Sequence, residues 1–532
     1  MTTVAFDRLA ELFAPLAHLL ASGGDTRLAL DPATRLNGYG CRPYPRPEAI
    51  TFASSTATSI SERAYAAAEA AQAALIRTAL RDGLEPAFDA RVEALRSELI
   101  DLLELGGGGV EIVFSPSGTD SELHAVFLAR AVLGTPLTSI VVASDETGSG
   151  VPYASCGKHF NTRTAQGAAV EKGNPIAGLA EDLVTLSLPL RHDGGAPPTL
   201  RDMDAAVLEA VARAITQGRC VLLHVMDHSK LGARCPSLAC LAQIRARWGA
   251  AVQIVVDACQ MRLGRARLRA HLDEGHMVLI TGSKFFTGPP FSGALLVPRR
   301  FAAAMTSADG VPIGLADYTS ASDWPRPWAG VRAALRERAN FGQLLRWIAA
   351  AEEMRDYFAV PTSYRRETLA RFAATVPALI DDAGFLDLLP DHDRSAGNDD
   401  EEMATRTIFP FLVRRDGRPM SFAQCATLYR ALNEDVSAQL PGATADERAL
   451  AARLCHIGQP VLLGAAADDP GALRISAGAR VVSETWSIAG EDAVIANLAR
   501  EFTEIRTVLA KLALLVRHFE AIERASQNRR AA

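Results

Sequence analysis

The 532-residue chain contains no run of about 18 uncharged apolar residues, so no segment reads as a membrane helix. Its first twenty residues, MTTVAFDRLAELFAPLAHLL, are apolar at helical spacing but carry Asp7, Arg8 and Glu11, which excludes the uncharged core of a signal peptide. They predict an amphipathic first helix that docks on its own body or on a second subunit. Eight cysteines (41, 156, 220, 235, 240, 259, 425 and 455) occur without C-x-x-C spacing. A zinc ribbon and a dense secreted disulfide framework are thereby excluded, no metal site is expected, and a reducing cytoplasm is the expected home. There is no basic excess: 55 Lys and Arg stand against 61 Asp and Glu, a net charge of −6, so neither nucleic acid nor an anionic membrane is an expected partner. No G-x-G-x-x-G follows the first strand-like run. The nearest approach to a phosphate-binding P-loop, SCGKHF, has Pro152 for the first glycine and His159 where a Ser or Thr would hold magnesium.

What is present is the composition of an ordinary globular protein, 48% hydrophobic and 22% charged. Residues 60–105 place apolar groups every three or four positions and predict helix. Between Glu111 and Pro298 the period changes. The β-branched runs EIVF, SIVVAS, CVLLHVM, VQIVVDA, MVLITG and GALLVP alternate with helical stretches, which predicts an α/β fold with a mostly parallel sheet covered on both faces. Beyond about Gly310 the chain is mostly helical. FGQLLRWIAAAEEMRDYF is expected to lead away from the sheet, and a smaller α+β domain is expected from TIFPFLVRR, FAQCATLYRALNEDVSAQL, PVLLG, ALRISAG and a closing helix. The expected division is 1–80 as an N-terminal arm and substrate-side segment, 81–310 as a large domain, and 311–532 as a helical connection and small domain. The polar stretch DHDRSAGNDDEE (391–402) reads as an exposed loop rather than a metal site.

In open parallel sheets ligands bind beyond the carboxyl ends of the strands. After EIVF, the residues Ser115, Ser117, Gly118 and Thr119 form a small-residue turn opening into a helix, an anion cup or, more plainly, a helix N-cap. After VQIVV comes Asp257, whose carboxylate requires a cation or several donors. After MVLI come Thr281, Gly282, Ser283 and Lys284, the last among apolar neighbours that allow a nucleophilic amine, the alternative being a lysine on a solvated rim.

This order of hydroxyl-rich turn, Asp and Lys resembles the fold-type-I pyridoxal-phosphate enzymes, most closely the class V aminotransferase and cysteine desulfurase group, over roughly Leu36 to Asn497. The pieces that carry the resemblance are SGTDSE, VVDACQ and TGSKFFTGPPFSG. It implies pyridoxal 5'-phosphate as cofactor, with Lys284 as Schiff-base lysine and Asp257 on the pyridine nitrogen. By the same resemblance Gly118, Thr119, Thr281 and Ser283 meet the phosphate, Gln260 meets the phenolic oxygen, and Asp227 stands where an asparagine usually lies beside the cofactor. His228 next to it reads as a local hydrogen-bonding residue. Arg474 is by position the arginine that grips a substrate carboxylate. Asn37, Arg46 and Ser55 resemble the substrate side of the site. A small-molecule amino-acid substrate and a homodimer are also implied.

The chain departs from the family at two places. Thr147 stands where a cofactor-stacking histidine is usual. Aligning His456 puts Gly458 where desulfurases carry their persulfide cysteine, with Cys455 three residues earlier. Transamination is therefore the leading expectation, with a lyase or desulfurase-like C–S or C–Se cleavage as the alternative. Group II decarboxylases share the Thr-Asp-Lys order, but their lysine follows a histidine, and here Ser283 precedes it. A non-catalytic scaffold would be expected to have lost Lys284, Asp257 or Arg474, and all three are present.

Overall fold

A computed structural model describes residues 3–191, 198–306, 310–391 and 402–531. Eight of its strands are β1 (Ala49–Phe52), β2 (Glu111–Ser115), β3 (Leu137–Val142), β4 (Leu183–Leu188), β5 (Cys220–Met226), β6 (Val252–Asp257), β7 (Met277–Thr281) and β8 (Gly293–Val297). Seven of them form one sheet in the order β2-β8-β7-β6-β5-β3-β4. Pairs β3/β4, β3/β5, β5/β6 and β6/β7 are parallel, and β8 alone runs against its neighbours β7 and β2. β3, β7 and β8 are buried along their whole length, as expected of strands covered on both faces by crossover helices. The edge strand β4 is only half-buried and reads LVTLSL.

A second sheet gathers β1 with β9 (Leu386–Leu388), β10 (Ile408–Arg415), β11 (Arg418–Pro419), β12 (Leu454–Leu462) and β13 (Gly471–Ser476). β1, from near the start of the chain, pairs parallel with β12, so both chain ends build this smaller α+β unit. The expected helix over 60–105 is two helices, Glu62–Asp82 and Leu84–Leu102, broken at Gly83, whose φ of 93° suits a residue without a Cβ.

The stretch expected to leave the sheet does the opposite. Helix Phe341–Ala359 is buried along most of its length because Phe341, Leu344, Leu345, Trp347, Ile348 and Met354 all find cover. Each large apolar side chain so removed from water contributes about 1.5–3 kcal/mol. The Trp347 ring N–H donates to Gly293 O at 2.9 Å, and Ala350 packs so close to the turn after β7 that a Cβ on Gly282 would lie 2.4 Å from its own. The N-terminal segment docks on its own body: Leu12, Leu16, Leu19 and Leu20 join the main core, and the Gln72 amide donates to Leu12 O and Ala14 O. Most of the expected loop at 391–402 lies outside the described residues. Among those described, no helix is long and apolar enough to cross a membrane, and no cluster of His, Cys, Asp and Glu could hold a metal.

Candidate active site

A cavity of about 330 Å³ opens at the carboxyl ends of β2, β5, β6 and β7, where the parallel strands release their following residues together. Gly118, Thr119, Asp257, Thr281, Ser283, Lys284 and Arg474 all line it, together with Ser55 and Ser117.

One wall is the start of helix Gly118–Leu133. Ser117 is its N-cap, extended at φ −138° and accepting the Asp120 N–H, so the plain capping role is realised at the cavity wall itself. The first N–H groups of a helix have no intrahelical acceptor, and Gly118 and Thr119, at the positive end of the helix dipole, line the cavity. Small residues are required: a Cβ on Gly118 would meet Cys259 Sγ at 2.6 Å, and one on Gly293 would meet the Ser117 backbone at 2.5 Å. Arg27, from the N-terminal segment, donates to Ser117 Oγ at 3.2 Å and stacks 4.8 Å over Phe291 while paired with Asp25. Burial and the nearby Asp25 raise the Asp120 carboxyl to about 7, against the lowering effect of Ser117 and Arg27.

Asp257 ends β6. Its Oδ1 accepts the Cys259 N–H at 3.0 Å and its Oδ2 accepts the Thr147 hydroxyl at 3.0 Å. Among the described residues no Lys, Arg or His side chain pairs with it within 4 Å, so the carboxylate retains acceptor capacity for a cationic N–H in the cavity. Thr147, expected where a ring-stacking residue would be sought, donates its hydroxyl to this carboxylate and so helps to fix it.

Lys284 lies in the turn between β7 and β8, and that turn is fastened from outside. Thr58 Oγ1 donates to Thr287 O at 3.0 Å. The buried Arg346 donates to Phe291 O at 2.8 Å and to the carbonyls of Leu20, Ser22 and Gly23, tying the lysine turn to the N-terminal segment. Thr287 and Phe291 hold positive φ values of 58° and 70°, strain that these bonds maintain.

Arg474, on β13, is 2% exposed, and its guanidinium donates to Gln459 O, Ser55 O, Lys230 O and Thr56 Oγ1. No carboxylate pairs with it among the described residues, and burial lowers it to about 10, still cationic at neutral pH. A buried guanidinium held only by neutral acceptors has its charge unanswered, which suits an anionic ligand.

Several expected residues lie elsewhere. Asp227 is buried outside the cavity, where His228 Nδ1 lies 2.8 Å away and Arg267 and Arg234 lie at 3.4 and 3.9 Å. Burial alone would raise its carboxyl, but these three groups hold it well below the usual range. It is held by charge in this cluster, and His228 is its local partner. Gln260 also stands off the cavity, since its amide nitrogen donates to Ser55 O and its oxygen accepts from Arg262. Asn37 shapes a turn, accepting the N–H groups of Tyr39 and Cys41, and so presents Gly38 and Tyr39 to the cavity without lining it itself. Arg46 is anchored on Asn433, away from the cavity. Cys455 lies within β12, completely buried, its thiol raised to about 11 by burial.

Sequence reasoning missed Lys230, Arg27, Tyr39, Cys259 and Gln459 as lining residues. Lys230 had a signal: it follows a strand of the same sheet by four residues, in HSKLG.

No family model matches the chain, and no curated protein matches it. Among solved structures it is similar to the glutamate decarboxylase domain of diaminobutyrate-pyruvate transaminase and L-2,4-diaminobutyrate decarboxylase from Vibrio parahaemolyticus, at 14% identity, covering 88% of this chain and 81% of that one, with a TM-score of 0.49. A transaminase with PLP bound is similar at 16% identity over 79% of this chain and 78% of that one, TM-score 0.43. Oryza sativa TDC with PLP and tryptamine is similar at 14% identity over 83% and 82%, TM-score 0.44. What the cavity can do follows from its own side chains.

Proposed function

We propose that the protein is a pyridoxal-phosphate-dependent enzyme acting on an amino acid, most simply an aminotransferase. The observation that carries this reading is the convergence, in one cavity, of Lys284, the cation-free Asp257 carboxylate, the Gly118–Thr119 helix start and the unanswered Arg474 guanidinium. The donor set fits the cofactor: helix N–H groups and hydroxyls for a phosphate, a carboxylate for a pyridinium N–H, an amine for an aldehyde.

When bound, pyridoxal phosphate supplies a carbonyl for amine condensation and an electron-withdrawing ring. The first turn of helix Gly118–Leu133, with the Ser283 hydroxyl, would bind the phosphate, whereas Thr281 donates its hydroxyl proton to Cys259 O at 2.8 Å and supports the wall. Asp257 holds a proton on the ring nitrogen, itself oriented by Thr147 and the Cys259 N–H. Lys284 carries the amine and moves the substrate's α-proton as general base and acid. Arg474 clamps the α-carboxylate.

A desulfurase relay is disfavoured by the same geometry. Gly458 is not in a loop but in β12, in register with Arg474, and Cys455 is sealed in the strand away from the cavity. Lyase chemistry that needs no protein thiol is the remaining alternative.

The test is spectroscopic. Purified protein incubated with pyridoxal phosphate should absorb near ~420 nm, and Lys284→Ala should lose that band and turnover together. Unchanged absorbance and full activity in K284A would overturn the reading. A homodimer is part of the same proposal, and sedimentation equilibrium should give twice the chain's 56.7 kDa. An active species at 56.7 kDa would refute it.

A further inference from the structure

One cation of the cavity wall has no part in the reading above. Lys230 lines it together with Lys284 and Arg474. Its Nζ has no hydrogen bond or ion pair among the described residues. Of the acidic groups nearby, Glu146 pairs with Arg191 at 2.8 Å and accepts from the Ser229 hydroxyl, Asp257 accepts from Thr147 and Cys259, and Glu122, which also lines the cavity, lies 2.7 Å from His224 Nδ1.

Lys230 and Arg474 are also mechanically linked, because Arg474 Nη1 donates to Lys230 O at 3.1 Å. Two cations therefore rise from adjoining points of the cavity wall. Burial, then Arg474 and Lys284, lower the Lys230 amine to about 8. Like charges held together under low dielectric are costly until anions neutralise them.

We propose that Lys230 is a specificity-determining residue that receives a second, side-chain carboxylate, so that the substrate is an acidic amino acid or the corresponding dicarboxylic keto acid. This rests on the reading of the cavity as an amino-acid site, with Arg474 on the α-carboxylate. An amino acid with a neutral or basic side chain would leave the Lys230 charge unanswered or add to the repulsion.

The test compares glutarate and succinate with butyrate as competing ligands. Binding is measured by calorimetry on the protein with pyridoxal phosphate, and again without it. Wild type should bind one of the dicarboxylates at least about tenfold more tightly than butyrate. Lys230→Met should reduce that ratio to about two or less, and Lys230→Arg should keep most of it. Near-UV circular dichroism establishes that each variant is folded. A wild-type ratio near one, or a preference that survives in K230M, would overturn the inference. Cofactor uptake is read separately from the visible absorbance. Uptake without dicarboxylate preference sinks this inference alone, whereas absence of uptake sinks the cofactor reading and leaves the carboxylate ratio still measurable.

Discussion

Gly458 and Arg474 face each other across the β12–β13 ladder, and a Cβ on Gly458 would stand 2.7 Å from Ser55 Oγ and 2.9 Å from the Arg474 Cβ. The glycine is what lets the guanidinium pass over the strand to reach Gln459 O and Thr56 Oγ1. The position where a persulfide cysteine would be sought by alignment therefore has no room for a side chain unless Arg474 or Ser55 shifts.

Gly458→Ala is predicted to displace Arg474 and to cost about 1–3 kcal/mol of stability by overpacking. Amino-acid affinity should fall at least about tenfold while the cofactor absorbance stays. Substrate titration and a thermal melt check this; unaltered affinity would show that Arg474 does not depend on the missing Cβ.

Asp257→Asn keeps the shape of the side chain but removes its charge. Loss of one charge-assisted hydrogen bond costs about 1.5–3 kcal/mol, so turnover should drop by roughly tenfold to over a hundredfold. Thr147→Val, which removes one of the two donors that orient the carboxylate, should show a smaller loss. Turnover within twofold of wild type in the Asn variant would refute the assignment.

Arg346→Met leaves the carbonyls of Leu20, Ser22, Gly23 and Phe291 without their buried donor. Urea unfolding should show a loss of about 3 kcal/mol or more. Because the same guanidinium fixes the turn that bears Lys284, the cofactor band should broaden or weaken in protein that remains folded. Stability equal to wild type would contradict this account of the turn.

The pH dependence of dicarboxylate binding follows from Lys230. Its amine is lowered to about 8 by burial and by Arg474 and Lys284, with Glu146 and Asp257 acting in the opposite sense. The charged form predominates below that value and is lost as pH rises through it. Glutarate affinity should accordingly decline above about pH 8, while butyrate affinity, which does not engage Lys230, declines less. Parallel profiles for the two ligands would count against the ion pair.

The chain itself made the strand-end chemistry legible. In a parallel sheet the residue that follows a buried strand must emerge at the carboxyl edge, so Ser117, Gly118, Asp257 and Lys284 could be assigned to one crevice from hydrophobic runs alone. The six interior runs likewise declared the α/β core, because strands buried on both faces must be continuously apolar. β1 and β4 were not legible in the same way, the one being four residues long and the other only half-buried.

Tertiary structure decided what lies further from a strand end. Once β5 ends at Met226, the backbone turns, and a shift of three residues separates Asp227, sealed against His228 and Arg267, from Lys230, open to the cavity. Periodicity carries no information through such a turn, since neither a two-residue nor a 3.6-residue repeat governs it. Arg27, Tyr39 and Gln459 reach the cavity only because the N-terminal segment and β12 fold back over the large sheet. The glycine at 458 is required by the register between β12 and β13. Contacts between residues so distant in the chain are set by packing and ladder register, and the local pattern that announces a strand does not say which partner it will find.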